Sequence, residues 1–280
     1  MKAQDTIFSE KIARIFNPNG EAMVMGILNI TPDSFHDGGK YLSEKEWLLQ
    51  TERMVSEGAD IIDIGGQSTR PGAIIISEEE EETRLIPVVK SVGKHFPELL
   101  ISVDTFRSSV AAKAIESGAN IINDISGGTF DADMFPLIAR LDVPYVLMHI
   151  KGSLETMHQE NIKEDAVKEV VGFLETQANK LKALGARQII IDPGFGFGKT
   201  LDQNYKLLSG LPFLKPLSYP ILVGISRKSM ITKLLNIKRE EALSATTALN
   251  IIALQGGAKI IRVHDVKEAK QAVQIASKLL

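Results

Sequence analysis

The chain has 280 residues, 44% hydrophobic and 24% charged, with a formal net charge of −3 and no cysteine. This is ordinary globular composition, long enough to bury a large core, and its interspersed charges leave no basic footprint for nucleic acid. The lack of cysteine excludes disulfides, thiol catalysis and zinc–thiolate centres.

The opening MKAQDTIFSEKIARIFN lacks the apolar segment of a signal peptide, and no apolar run approaches the roughly 18 residues of a membrane span. A cytoplasmic chain with no membrane partner is expected. Residues 1–20 read as an N-terminal extension. Short β-branched runs then alternate with longer amphipathic stretches. Strands are predicted at 22–29, 60–65, 99–104, 120–124, 144–149, 188–192, 220–224 and 259–263. Helical patterns lie near 43–57, 78–95, 107–117, 132–141, 161–184, 202–209, 240–255 and 265–279. Strands that each precede a helix imply a parallel sheet with helical crossovers, and near-continuous apolar strands imply cover on both faces.

A weak repeat points to closure. SEGADIIDIGG, ESGANIINDISGG, ALGARQIIIDPGFG and QGGAKIIRVHD each carry a Gly-Ala pair before a strand. Gly58, Gly118, Gly185 and Gly257 stand where a left-handed helix terminus belongs. A repeat every second βα unit suits a (βα)8 barrel better than an open doubly wound sheet. The expected architecture is one α/β domain over residues 1–280, a TIM barrel with long, mobile loops after strands one and two, and with residues 1–20 outside the barrel proper, across its bottom. The acidic run SEEEEETR reads as a helix start, with Ser77 as N-cap and Glu80 three residues on.

Chemistry in such a barrel sits at the C-terminal strand ends. All eight are polar or glycine-rich: Asn29, Gly65-Gly66, Asp104, Asn123-Asp124, His149, Asp192, Ser226-Arg227-Lys228, and Arg262 with His264. Any one of these alone reads as a cap or a structural residue; together they point to a site. Arg262 and His264 share a strand face and suit an anion such as phosphate. Asp104 and Asp192 suit a cation or a ligand edge rich in N–H donors.

IDPGFGFGKT resembles a nucleotide loop but is not one. Its Gly-Lys lacks the glycine a P-loop places five residues earlier, where Pro193 stands, and Gly194, Gly196 and Gly198 run GxGxG rather than GxGxxG. Instead, Asp192 is expected to point into the barrel, Pro193 to turn the chain out of the sheet, and the glycines to bring Phe197 over a ligand. Lys199 is expected to point to solvent or the next helix, so that its removal matters little.

GILNITPDSFHDGG, GGQSTRPGA, ISVDTFR, INDISGG, DPGFGFGK, GISRKSM and IRVHDV together resemble the dihydropteroate synthase family over about residues 25–266. The resemblance implies that a dihydropterin-CH2-diphosphate condenses with 4-aminobenzoate, releasing diphosphate, with Mg2+ as cofactor, sulfonamide sensitivity and a homodimer. It implies roles residue by residue: Asn29 as the Mg2+ ligand; Asn29, Arg70, Arg262 and His264 on the diphosphate. Asp104, Asn123, Met148, Asp192 and Lys228 would contact the pterin. Thr69, Arg70, Pro71, Phe197, Lys228 and Ser229 would contact the aminobenzoate, and Asp104, Lys228, Arg262 and His264 would carry the chemistry. Two positions depart from the pattern: Gln67 stands where Glu is usual, and His36 where Ser is common. Two rival readings are a pterin-binding barrel of the corrinoid methyltransferases, which would not need the Ser-Thr-Arg-Pro-Gly loop, and a catalytically silent pterin-binding homologue.

Overall fold

The computed structural model describes residues 3–30, 43–68, 74–153, 156, 162 and 165–279, with side chains from residue 8 onward. Helix α1 (Ala3–Phe16) precedes the first strand. The strands are β1 (Met23–Asn29), β2 (Ile61–Gly65), β3 (Leu100–Asp104), β4 (Ile121–Asp124), β5 (Tyr145–Met148), β6 (Ile189–Asp192), β7 (Ile221–Val223) and β8 (Ala258–Val263). All pair in parallel with their sequence neighbours, and β1 pairs with β8, so the sheet closes into a barrel. Around it lie α2 (Glu44–Ser56), α3 (Glu78–His95), α4 (Ser108–Glu116), α5 (Met134–Leu141), α6 (Ala166–Ala183), α7 (Leu201–Ser209), α8 (Ser229–Leu235), α9 (Leu243–Gly256) and α10 (Val266–Ala276).

Strand alternation divides the core in two. Outward residues such as Val24, Ile62, Val103, Leu147, Ile191 and Val263 pack with helix residues such as Leu85, Val88, Leu174 and Leu207. Inward residues Met23, Met25, Ile61, Leu100, Ile121, Val146, Ile190, Leu222 and Ile260 fill the lower barrel, and Ile15 with Phe8, Ile12 and Phe16 of α1 packs against them. Residues 8–16 therefore plug the lower end of the barrel with one apolar helix face.

Gly58, Gly118, Gly185 and Gly257 adopt φ of +99°, +108°, +100° and +106°, so the repeated Gly-Ala pair marks helix ends that a Cβ would strain. Ser77 caps α3 by accepting from the Glu80 N–H. Within the same acidic run Glu81 is fully buried and paired with Arg107. Elements that escape the sequence pattern include α1, in the segment expected only as an extension, the seven-residue α8, and a 3-10 helix at Leu211–Leu217 that contains two prolines.

Candidate active site

Above the apolar layer the inward positions become polar. Asp63 on β2 stands opposite Ser102 on β3, Asp104 opposite Asn123 on β4, and Arg262 rises from β8 beside Met25. Gly65, next to Asp104 in register, presents no side chain at this level. A Cβ there would lie 3.5 Å from Asn29 Oδ1 and 3.6 Å from Asp104 Cβ. The missing side chain thus lets the ends of β1 and β3 approach one space.

Asp63 organises this layer. Fully buried, it accepts from Ser102 Oγ at 2.6 Å, Asn123 Nδ2 at 2.9 Å and Arg262 Nε at 2.6 Å. The bond from Nδ2 fixes the Asn123 amide, so its oxygen is the group left to accept from a ligand. Arg262 also donates from NH2 to Asp104 Oδ2 at 3.0 Å. Burial pushes the Asp104 carboxyl up to about 7; Arg262 opposes the rise, and Asp63, Glu81 and Asp124 add to it. Asp63 was missed in the sequence because it lies within an apolar strand rather than at its end. Its spacing of two from Gly65 was the available signal, since it places both on one face.

Across the barrel, Asp192 accepts from the Gly194 N–H at 2.7 Å. Burial raises its pKa, while Lys228, the Gly194 N–H, Lys199 and Arg262 lower it. Lys228 donates to the Phe195 carbonyl and places Nζ 4.7 Å from the centre of the Phe197 ring. Burial brings its ammonium down to about 8, against the pull of Asp192. The turn that aims Lys228 is constrained: Arg227 has φ +54°, an uncommon conformation for a side-chain-bearing residue. Arg227 is held there by two bonds to Asp265 and one from its N–H to Thr246 Oγ1. Ser229, next along, is exposed at the start of α8.

Met148 packs with Phe106, Ile125 and Ile150, and Phe130 and Phe197 lie against that cluster. The result is a slot with a carboxylate and amide floor and thioether and aromatic walls. Such a slot suits a flat heterocycle with several N–H donors.

His264 stands at this rim as a neutral group. Burial, with Arg239 and Arg262, holds its pKa at about 3, so the ring is neutral. Arg239 NH2 lies 3.0 Å from Nε2 and Ser226 Oγ 3.0 Å from Nδ1. Arginine can only donate, so Nε2 accepts and Nδ1–H faces Ser226. Arg239 adds a cation beside His264 at this rim, one that sequence reasoning missed because it lies in a three-residue 3-10 turn between α8 and α9.

Two polar strand ends face away from the mouth. Asp124 accepts from the N–H groups of Ser126 and Gly128 and from the Tyr145 hydroxyl, all on its own side of the sheet. His149 packs edge-on against Phe173 of α6, with centroids 5.0 Å apart. Lys199 also corrects the sequence reading. It is buried, with Nζ donating to the carbonyls of Gly194 and Phe197 and touching His149 Nδ1. The Gln67 amide donates to the carbonyls of Ser68 and Ile74 and accepts from the Ile76 N–H, tying together the ends of the second loop. Thr69, Arg70, Pro71 and His36 lie outside the described residues.

Comparison with known proteins agrees with this geometry. The family model described as pterin binding enzyme matches residues 25–264. A dihydropteroate synthase of Streptococcus pyogenes serotype M18 is 43% identical over 274 residues, covering 96% of this chain and 100% of its own. The Yersinia pestis dihydropteroate synthase, solved with a sulfonamide drug complex, superposes with a TM-score of 0.87 at 40% identity, covering 92% of this chain and 94% of its own. The Xanthomonas albilineans enzyme, solved in complex with 7,8-dihydropteroate, gives 0.83 at 36% identity over 93% and 94% of the two chains. This chain belongs to the pterin binding enzyme family, alongside the dihydropteroate synthases.

Proposed function

We propose that the chain condenses 6-hydroxymethyl-7,8-dihydropterin diphosphate with 4-aminobenzoate to give 7,8-dihydropteroate and diphosphate. The observation that carries this reading is the slot floored by Asp63, Asn123, Asp192 and Arg262, in a chain 43% identical to a dihydropteroate synthase over its whole length. Asp192 would accept from the 2-amino and N3–H edge of the pterin, Asn123 Oδ1 would accept a ring N–H, and Met148 would pack on the ring face. The C–O bond to the diphosphate breaks as the arylamine nitrogen bonds to the methylene carbon, and the amine proton passes to the departing diphosphate or to solvent. Positive charge grows on the pterin methylene and negative charge on the leaving group. Asp104, ionised, faces the first; Arg262, Arg239 and Arg70 meet the second, and the neutral His264 holds Arg239 in place by accepting from it at 3.0 Å. Phe197, Lys228 and Ser229, with Thr69, Arg70 and Pro71, would hold the aminobenzoate, the place where a sulfonamide would compete.

Asn29 offers an oxygen donor beside Asp104 at the mouth, and oxygen donors suit Mg2+. Among the described residues no cluster of three or more His or acidic side chains could hold a metal. Asn29 would therefore hold Mg2+ together with substrate phosphate oxygens and water, a coordination this ion favours. Bound there, it would supply charge neutralisation on the diphosphate.

No helix among the described residues is long and apolar enough to cross a membrane, and the reading places the enzyme in the cytoplasm. Exposed Leu234, Leu235, Ile252 and Ile275 on α8, α9 and α10 are the surface on which we place a homodimer contact. The testing assay supplies both substrates with and without Mg2+. Dihydropteroate and diphosphate should appear in equal amounts and depend on the metal; absence of both products would refute the reading.

A further inference from the structure

Lys199 is a buried lysine that the reaction does not use. Its Nζ donates to the Gly194 carbonyl at 2.7 Å and the Phe197 carbonyl at 3.0 Å, and lies 3.0 Å from His149 Nδ1. Burying an ammonium is costly unless its donors are satisfied; burial pulls this one down to about 7 against the nearby Asp192, and in the charged form all three donors have acceptors. His149 is a neutral acceptor, because burial and the neighbouring Lys199 hold its pKa near 2. Within the loop clamped in this way, the Phe197 N–H donates to the Gly194 carbonyl at 3.2 Å. Gly194, Gly196 and Gly198 all have positive φ, at +69°, +82° and +62°. A glycine-rich path has more chain freedom to lose than any other, so it needs outside ties. Asn204 supplies one on the outer edge, accepting from the Gly196 N–H at 2.7 Å. Beside His149, Lys199 joins both ends of the turn, taking the Gly194 and Phe197 carbonyls as its two anchors on the loop.

We propose that Lys199 is a positioning residue for the second substrate: by clamping the Gly194 and Phe197 carbonyls against His149 it fixes the Phe197 ring beneath Lys228. The inference rests on the function proposed above, because it assigns Phe197 to the aminobenzoate wall. It reverses the expectation that losing Lys199 matters little. The pterin side should be nearly indifferent, since Asp192 keeps the Gly194 N–H and Lys228 as partners.

The test uses Lys199→Met, which matches the aliphatic stem of the side chain and removes Nζ with its donors. KM for 4-aminobenzoate should rise about tenfold or more, while the affinity for the pterin diphosphate stays within about threefold and the melting temperature within a few degrees. Deuterium exchange at the amides of residues 194–198 should accelerate. Because the chain contains no cysteine, Lys199→Cys can be alkylated at that single position with 2-bromoethylamine. The resulting thioether analogue of lysine should bring the aminobenzoate KM back toward wild type. An aminobenzoate KM within twofold of wild type in Lys199→Met would overturn the proposal. So would a loss of pterin affinity equal to the loss for aminobenzoate, which marks general loosening. If the wild-type chain forms no dihydropteroate, the proposed function fails; unchanged exchange at residues 194–198 would then still overturn the clamp, and accelerated exchange would still support it.

Discussion

Asp104 and Lys228 carry opposite charges at one mouth, and burial moves their ionisation toward each other, Asp104 up to about 7 and Lys228 down to about 8. A carboxyl with a raised pKa gains its negative charge only as pH passes about 7; a lysine with a lowered pKa loses its positive charge as pH passes about 8. The log of kcat/KM against pH should therefore form a narrow bell with its maximum between these values, reporting macroscopic pKa values of the linked groups. Asp104→Asn should remove the acid limb along with most of the activity, and a retained acid limb would show that another group controls it. The same shift has a sign in stability. Folded Asp104 keeps its proton above the ordinary 3.8, so its contribution to stability declines as pH rises from there toward 7. Residue types were legible at this scale, as was the inward direction of Asp192, but the directions of other strand ends were not. Asp104, Asn123, Asp192 and Arg262 do converge inside the barrel, whereas Asp124 and His149, read from the same kind of position, face outward. Strand parity decides between them, and parity also exposes Asp63, which an apolar run concealed. Arg262, expected on the diphosphate, commits two nitrogens to Asp63 and Asp104 first, a fact of three-dimensional pairing that no local pattern carries.

The strands were the most legible elements. Each predicted run overlaps its observed strand within one or two residues at either end, because a sheet covered on both faces demands continuous β-branched residues. The amphipathic helices followed from their periodicity. Helix α8 and the 3-10 helix at Leu211–Leu217 did not, being too short to show a period. The loop after β6 was legible as a close-packed turn but not in its fastening, since Lys199 reaches back into the barrel wall. Its tightness can be tested directly. A Cβ on Gly194 would stand 1.8 Å from the His149 carbonyl oxygen, at a φ of +69°. Gly194→Ala should therefore displace the loop and destabilise the fold by about 1–3 kcal/mol. Thermal unfolding would show a drop of several degrees, and an unchanged melting temperature would mean that the loop has room the structure does not show.

For the whole molecule, the barrel assigns its two ends to different physics. The lower end is packed by apolar contacts between α1 and the Met23, Met25 and Ile260 layer, and the layer above it is polar. Ile15 is only 1% exposed, and burying one such side chain contributes about 1.5–3 kcal/mol. Deleting residues 1–16 should therefore lower the melting temperature markedly while leaving the pterin affinity of the surviving folded fraction near wild type. Calorimetry on the shortened chain checks both, and an unchanged melting temperature would show that α1 adds nothing to the core. The charge pattern of the upper end makes the central claim, that the carboxylates inside the barrel read the pterin edge. Its most direct test is a calorimetric titration of the pterin diphosphate into wild type and into Asp192→Ala. The account predicts measurable binding to the first and nearly none to the second, with both proteins folded; equal affinity in the two would contradict it.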